Sequence, residues 1–430
     1  MPSRSDFSAD SQIQFPRSVT IDRFDESLAS HYVTTPLPKT LLIDFASVTF
    51  IDMAVLINVI SLFIRRKERR QTTFFGIPRD KRVRDFLRVW RYPQAFLDAT
   101  GIPFEDVLVE EDRSYRGEKQ TTYTGLGSGL AALTYDRDWA GTRGKRNFFE
   151  FTSYLLAPQQ QSLFRGPVGA IPRLEAQRWN NSLIREVLSS HLVTKSSADD
   201  VARVVIYESI SNAVRHPEAQ VIQTTSIFQL KDAYKKRQLS DSAPSKSGSL
   251  RIFIWDDGEG IADTLAPLIR EKKPVRAYHL DRFMYDKIYL ERGGLTKTKK
   301  TNFVVDQYDD PTHDATEDLI LLASLYPGVT RTVAEFARDV DPLDSGRQVE
   351  LMNWARQQGM GLYALTRTAL DLHQGVLTIR SGRNKLMIEI ARDKYRKGGA
   401  RYRATITNFP RTFPRFKGNL LTIQLPISSE

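Results

Sequence analysis

The sequence predicts an α/β chain of two domains joined by a connecting region. Three observations carry this reading. At 430 residues the chain is too long for one ordinary hydrophobic core, and its 41% hydrophobic fraction suits globular packing. Residues 40–90 alternate buried-strand and helix patterns. Residues 173–430 alternate helix and strand again, up to a final strand.

Taken in order, residues 1–18 read as a tail and residues 19–110 as the first domain. In that domain TLLIDF at 40–45 is a buried-strand pattern, followed by VTFID at 48–52 and an apolar helix-like run through Phe63. QTTFF at 71–75 reads as another strand, broken by Gly76 and Pro78, and residues 81–90 have amphipathic helical spacing. Residues 111–172, with the glycine-rich stretch 125–129 and a strand-like stretch at 147–156, form the connecting region. Beyond it, apolar positions at 173–191 recur at helical spacing, and residues 196–200 supply cap residues for the next helix.

Composition narrows the chemistry. The chain has no cysteine, which excludes disulfides, thiolate metal sites and a cysteine nucleophile. Its N-terminus lacks an apolar leader core, and the longest apolar stretch, 50–64, contains Asp52 and Asn58 and is too short to span a bilayer. A cytoplasmic location without membrane contact is therefore expected. The formal charge of +11 points to an acidic partner, nucleic acid among the candidates. The basic runs at 65–70, 231–237, 297–300 and 392–417 accompany no nucleic-acid motif, and the plain reading of each is a solvated loop or helix end.

Three segments carry specific chemistry. Residues 201–216 form a helical pattern ended by Pro217, with Ala202, Ile206, Ser209, Ile210 and Ala213 on a buried face and Glu208, Asn212 and His216 every fourth residue on another. An amide oxygen there can ligate Mg²⁺, and a carboxylate one turn away can take a proton from water or a hydroxyl. The spacing alone also suits a solvated helix. The strand at 249–255 runs into DDGEGI at 256–261, where Asp256 can accept a hydrogen bond from an adenine amino group and Gly258 and Gly260 let backbone approach a ligand. A plain acidic turn reads the same way. Gly359 and Gly361 open the helical run 363–372, where free backbone N–H groups favour phosphate, and the strand 375–380 follows.

Together, ExxxNAxxH at 208–216, DxGxGI at 256–261 and GxGL at 359–362 resemble the N box and two glycine boxes of the GHKL superfamily of gyrases, histidine kinases, MutL proteins and anti-sigma-factor kinases. Across residues 173–430 the resemblance implies a Bergerat-type α/β sandwich, with helices on one face of a mixed sheet, that binds ATP with Mg²⁺. It implies Glu208 as general base, Asn212 as Mg²⁺ ligand and Asp256 as adenine reader, with Gly258, Gly260, Gly359 and Gly361 shaping the nucleotide site and Arg215 near the phosphates. Residues 262–358 stand where the family has a shorter lid and, with a break at Gly293-Gly294 and a helix pattern near 317–325, read as a folded insertion as well as a lid; Asn419 stands where relatives carry a threonine that helps hold adenine. Glutamate at 208 accords with the superfamily's ATPases and serine kinases, whereas its histidine kinases generally carry asparagine.

The first domain, through residues 43–52, the helix after them and the strand end at 75–78, resembles STAS domains such as anti-anti-sigma factors. Those carry a phosphorylatable serine two residues after the aspartate. Here Met53 and Ala54 follow Asp52, and neither has a hydroxyl. Three functions are then in play: an ATP-dependent, slowly hydrolysing switch acting on a protein partner through the STAS-like domain or lid; a serine/threonine kinase for a separate STAS partner; and a nucleic-acid-binding or scaffold protein with structural ATP.

Overall fold

The computed structural model describes residues 2–34, 38–115, 148–156, 175–177, 179, 201–215, 218–231, 247–270, 287–294, 301–306, 317–325, 361–392 and 399–428. It is a mixed α/β chain in two compact units: residues 1–155 with 223–228 and 409–417 form the first, and 156–222, 229–408 and 418–430 the second. No helix among the described residues is long and apolar enough to cross a membrane.

The first unit is built on strands β1 (Gln12–Gln14), β3 (Thr40–Asp44) and β5 (Thr72–Gly76), all parallel, with β2 (Ser18–Val19) and β4 (Phe50–Ile51) as a separate parallel pair. Helices α1 (Ile21–Thr34), α2 (Met53–Glu68), α3 (Lys81–Val89) and α4 (Tyr92–Thr100) connect and follow them. The register sets Gln14 beside Asp44 and Asp44 beside Gly76, so the carboxyl ends of the three strands are level. Strand β6 (Phe148–Leu155) and residues 223–228 also belong to this unit, where Gln223 Nε2 donates to Ser153 Oγ at 3.3 Å.

Helix α2 is the unit's centre because it is apolar nearly all round: every residue from Met53 to Phe63 is buried. Asp52 caps it, accepting from the Ala54 N–H at 3.0 Å, and Arg65, Arg66 and Lys67 face the negative end of its dipole. Stacked rings of Phe15, Phe24 and Phe45, with Phe75 tilted against Phe45, fill the space below the sheet.

Residues 1–18, expected as a tail, instead contribute β1 and are anchored: Arg4 pairs with Asp44 at 3.3 Å and with Asp112 at 2.7 Å. A three-residue strand is too short for its alternation to stand out in sequence. Of the connecting region, β6 and residues 111–115 are described, and the glycine-rich stretch 125–129 lies outside the described residues.

In the second unit a π-wound turn, Val201–Ile206, leads into helix α5 (Tyr207–Arg215). Then come β7 (Val221–Lys231, whose residues 223–228 are counted with the first unit), β8 (Ser247–Asp256), α6 (Ile261–Arg270), β9 (Lys287–Gly294), β10 (Thr301–Asp306) and α7 (Glu317–Ala323). Helix α8 (Gly361–Arg367) passes into a second π-wound turn, Thr368–Leu372, before β11 (Val376–Gly382), β12 (Asn384–Ile390), β13 (Tyr402–Asn408) and β14 (Phe416–Ser428). Strands of one mixed sheet run in the order β10-β9-β13-β12-β11-β14-β8-β7. On β8, Ile252, Phe253, Ile254 and Trp255 are all buried, as an interior strand covered on both faces requires.

Within the stretch 262–358, expected as a lid or folded insertion, the described elements are built into the fold. Strand β9 pairs parallel with β13, and β10 pairs antiparallel with β9, extending the sheet. Arg292 of β9 forms a two-pronged ion pair with Asp318 of α7, which also accepts from Asn408 Nδ2 of β13 at 3.0 Å. Arg403 of β13 bridges Glu291 of β9 at 2.6 Å and Glu389 of β12 at 3.0 Å. Helix α6 packs its Ala262, Leu265 and Ala266 against Ile320 of α7.

Candidate functional site

Helix α5 is amphipathic in the way its sequence requires: Val205 and Ile206 before it and Ile210, Ala213 and Val214 within it are buried, whereas Glu208 and Asn212 are half-buried, one turn apart. Ser209 turns its hydroxyl back to the Val205 carbonyl at 2.6 Å, which satisfies a buried polar group inside the helix. Two elements pack against α5: strand β8, which ends at Asp256, and helix α8, which starts at Gly361. The fold thus brings three distant segments together, with Glu208 and Asn212 on the helix they share. Arg215 is the last residue of α5, and Gly359 and His216 lie outside the described residues.

The loop after β8 is held by a dense set of hydrogen bonds. Asp256 is 5% exposed, and its Oδ1 accepts from the Gly258 N–H at 3.1 Å. Directly opposite in the antiparallel register stands Asn419 of β14. Its amide nitrogen reaches Asp256 Oδ1 at 3.2 Å, Oδ2 at 3.3 Å and the Glu259 carbonyl at 2.9 Å. Its amide oxygen accepts from the Ile261 N–H at 2.9 Å, an N–H shared with Ser381 Oγ at 2.8 Å. Asn419 therefore spans the loop from its first residue to the start of α6. A threonine hydroxyl has one donor and could not make this span.

Asp257 does a second job. Its Oδ1 accepts from the Gln220 and Val221 N–H groups at 2.7 and 2.8 Å, and its own N–H donates to the Val221 carbonyl at 3.2 Å. The loop is thereby tied to the start of β7. Neither Asp257 nor Ser381 stands out in the sequence. The signal for Asp257 is its adjacency to Asp256 at a strand end; Ser381 gives none, because its partner is 120 residues away.

Glycines at the site answer to packing within the protein. Gly418 has φ +75°, and a Cβ there would lie 1.6 Å from the Asp256 carbonyl oxygen. At Gly260 a Cβ would lie 2.8 Å from Asp263 Oδ2 and 3.0 Å from Ser381 Oγ. The space a side chain at Gly260 would take is thus filled by Asp263 and Ser381. Gly258 is buried in the loop, and Gly361 starts α8.

Chemically, the site presents an acceptor-only carboxylate at a strand end, fixed from two sides, beside a helix bearing a carboxylate and an amide one turn apart. Among the described residues no group of three or more histidine and acidic side chains is placed to hold a metal ion by itself. A divalent cation here would need oxygen ligands from its guest as well as from the protein. Compared with known family models, curated proteins and solved structures, the chain matches none.

Proposed function

We propose that the second unit is a Mg²⁺-ATP-binding domain of GHKL type, with a Bergerat-type arrangement of helices on one face of its sheet, and that it acts as a nucleotide-dependent regulatory switch on a protein partner. The observation that carries the reading is the packing of α5, the helix that bears Glu208 and Asn212, against β8, which ends at Asp256, and against α8, which starts at Gly361. In this reading Asp256 accepts from the adenine amino group, Asn212 offers its amide oxygen to Mg²⁺, and the Gly361 end of α8 faces the phosphates. Gly258 and Gly359 belong to the same turns, and Arg215 adds charge at the phosphate end. Asn419 acts on the nucleotide through Asp256, which it orients.

Glu208 supplies the base for hydrolysis. It takes a proton from water as the water oxygen attacks the γ-phosphorus and the bond from that phosphorus to the ADP oxygen breaks. The first unit, read as STAS-like, is the regulatory partner domain. Ala54, buried just inside the Asp52 cap, has no hydroxyl to phosphorylate, so a serine kinase reading requires a separate substrate. A cytoplasmic location fits both readings.

Calorimetry with Mg²⁺-ATP on the full chain, followed by incubation with γ-labelled ATP, tests the proposal. The expected result is saturable binding, slow release of labelled phosphate that Glu208→Ala abolishes, and no label on protein. Label transferred to an added STAS protein would make the chain a kinase. Absence of ATP binding to the folded chain would refute the nucleotide reading.

A further inference from the structure

Two basic runs, far apart in sequence, meet in the first unit. At the end of α2, Arg65 donates through Nε to the Arg415 carbonyl at 3.2 Å and through Nη2 to the Phe416 carbonyl at 3.4 Å. Lys417 binds back to the helix: its backbone N–H donates to Ser61 Oγ at 2.7 Å, and its Nζ lies 3.4 Å from Glu68 Oε1. Residues 409–417 are thereby fastened along the C-terminal half of α2.

The charge this assembles is one-sided. Lys67 in the last turn of α2, and Arg69 and Arg70 just beyond it, are exposed, and Arg411 is exposed in the turn that Phe413 closes onto the Pro410 carbonyl. Arg415 and Lys417 add partly exposed cations, and Glu68 is the acidic residue among them, engaged by Arg65 at 2.9 Å. The helix dipole accounts for Arg65, Arg66 and Lys67. It does not account for Arg69 or Arg70, which lie beyond the helix. Arg70 is held at φ 57°, a left-handed conformation uncommon outside glycine, while its N–H closes on the Lys67 carbonyl at 2.9 Å.

The geometry points to this surface as a docking site for the phosphodiester backbone of a nucleic acid. Arginine dominates it, and a guanidinium fork suits phosphate oxygens. A stable protein interface is commonly built round an apolar core, and firm membrane attachment adds inserted apolar side chains to basic charge. The exposed large apolar residues described are Phe50, Leu97 and Leu155, none of them in either run. What remains is a polyanion recognised by charge, with the sequence of bases unread. This inference is independent of the nucleotide reading of the second unit.

The test is fluorescence anisotropy of the full chain with a fluorescein-labelled DNA duplex and its RNA counterpart over a range of salt. Arg69→Glu/Arg70→Glu and, separately, Arg411→Glu/Arg415→Glu should each weaken binding about tenfold or more and flatten the log–log salt slope by about 2, since every phosphate left without its cation takes about 0.9 off that slope. Lys81→Glu/Arg82→Glu, an equal charge change at the start of α3 and outside both runs, should leave both nearly unchanged. The milder Arg69→Gln/Arg70→Gln replaces a variant that does not fold and should move affinity in the same direction. Equal loss in the control, or no binding by the parent at low salt, overturns the proposal. So does binding to polyglutamate or to phosphatidylglycerol vesicles as tight as to nucleic acid with the same dependence on Arg69 and Arg70.

Discussion

Asn419 stands opposite Asp256 between β14 and β8 and donates its amide to both carboxylate oxygens, at 3.2 and 3.3 Å. Because the same side chain also accepts from the Ile261 N–H at 2.9 Å, it locks the loop that follows Asp256 and fixes the direction in which the carboxylate points.

Asp256→Ala is expected to weaken Mg²⁺-ATP binding by about 1–3 kcal/mol, roughly fivefold to more than a hundredfold, because the adenine amino group would be buried without its acceptor. Isothermal calorimetry measures this, with circular dichroism to establish that the variant is folded. Parent-like affinity in a folded variant would remove Asp256 from the nucleotide site.

Asn419→Asp keeps the shape of the side chain but turns a donor into a second carboxylate facing Asp256. At neutral pH the variant should be less stable than the parent by about 1–3 kcal/mol. Repulsion raises the folded-state pKa of one carboxyl above its unfolded value. Its contribution is therefore most favourable below the unfolded value and is lost as pH rises through the folded one. The gap to the parent should narrow on acidification, and urea midpoints against pH would reveal a gap that stays constant if this account is wrong.

Gly418 and Gly399 share a left-handed backbone, with φ +75° and +76°, but only Gly418 has a neighbour where a Cβ would go. Gly399→Ala should cost about 1–2 kcal/mol from conformation alone. Gly418→Ala should add an overpacking cost of about 1–3 kcal/mol as the Asp256 carbonyl is pushed away. Thermal or urea unfolding of the two variants side by side distinguishes them, and equal losses would contradict the close approach.

His31, in the last turn of α1, has its pKa lowered, chiefly because burial penalises the charged imidazolium, with Arg66 adding repulsion and Asp10 acting in the opposite sense. A lowered folded-state value means the neutral form stabilises the fold above 6.5, and that stability is lost as pH falls from 6.5 through the folded value. His31→Gln should flatten the fall in the urea midpoint over that window. An unchanged pH profile would show that other groups govern acid unfolding of this unit.

Much of the secondary structure is legible in the sequence because it is local. The strand expected at 40–45 is β3, the helix at 81–90 is α3, the strand at 249–255 is β8, and the helix near 317–325 is α7. Periodicity and cap residues report such elements without knowledge of their neighbours. The first three of the four site segments, around Glu208, Asp256 and Gly361, are legible for the same reason: each is a short run of side chains whose chemistry can be read in place. The fourth, at Asn419, reads in sequence as a minor substitution.

What the sequence by itself determined is the set of elements and the chemical groups they carry: an acidic strand end, a carboxylate and amide one turn apart, and basic runs with no stated partner. Tertiary structure alone decided which of these meet. It made Asn419 the brace of Asp256, brought Ser381 and Asp257 into the loop, drew β1 out of an apparent tail, added β9 and β10 to the sheet and set the basic run at 411–417 beside the end of α2. The reason is physical: propensity and periodicity act over a few residues, whereas hydrogen bonds across strands and ion pairs between distant segments exist only after the chain has closed its loops.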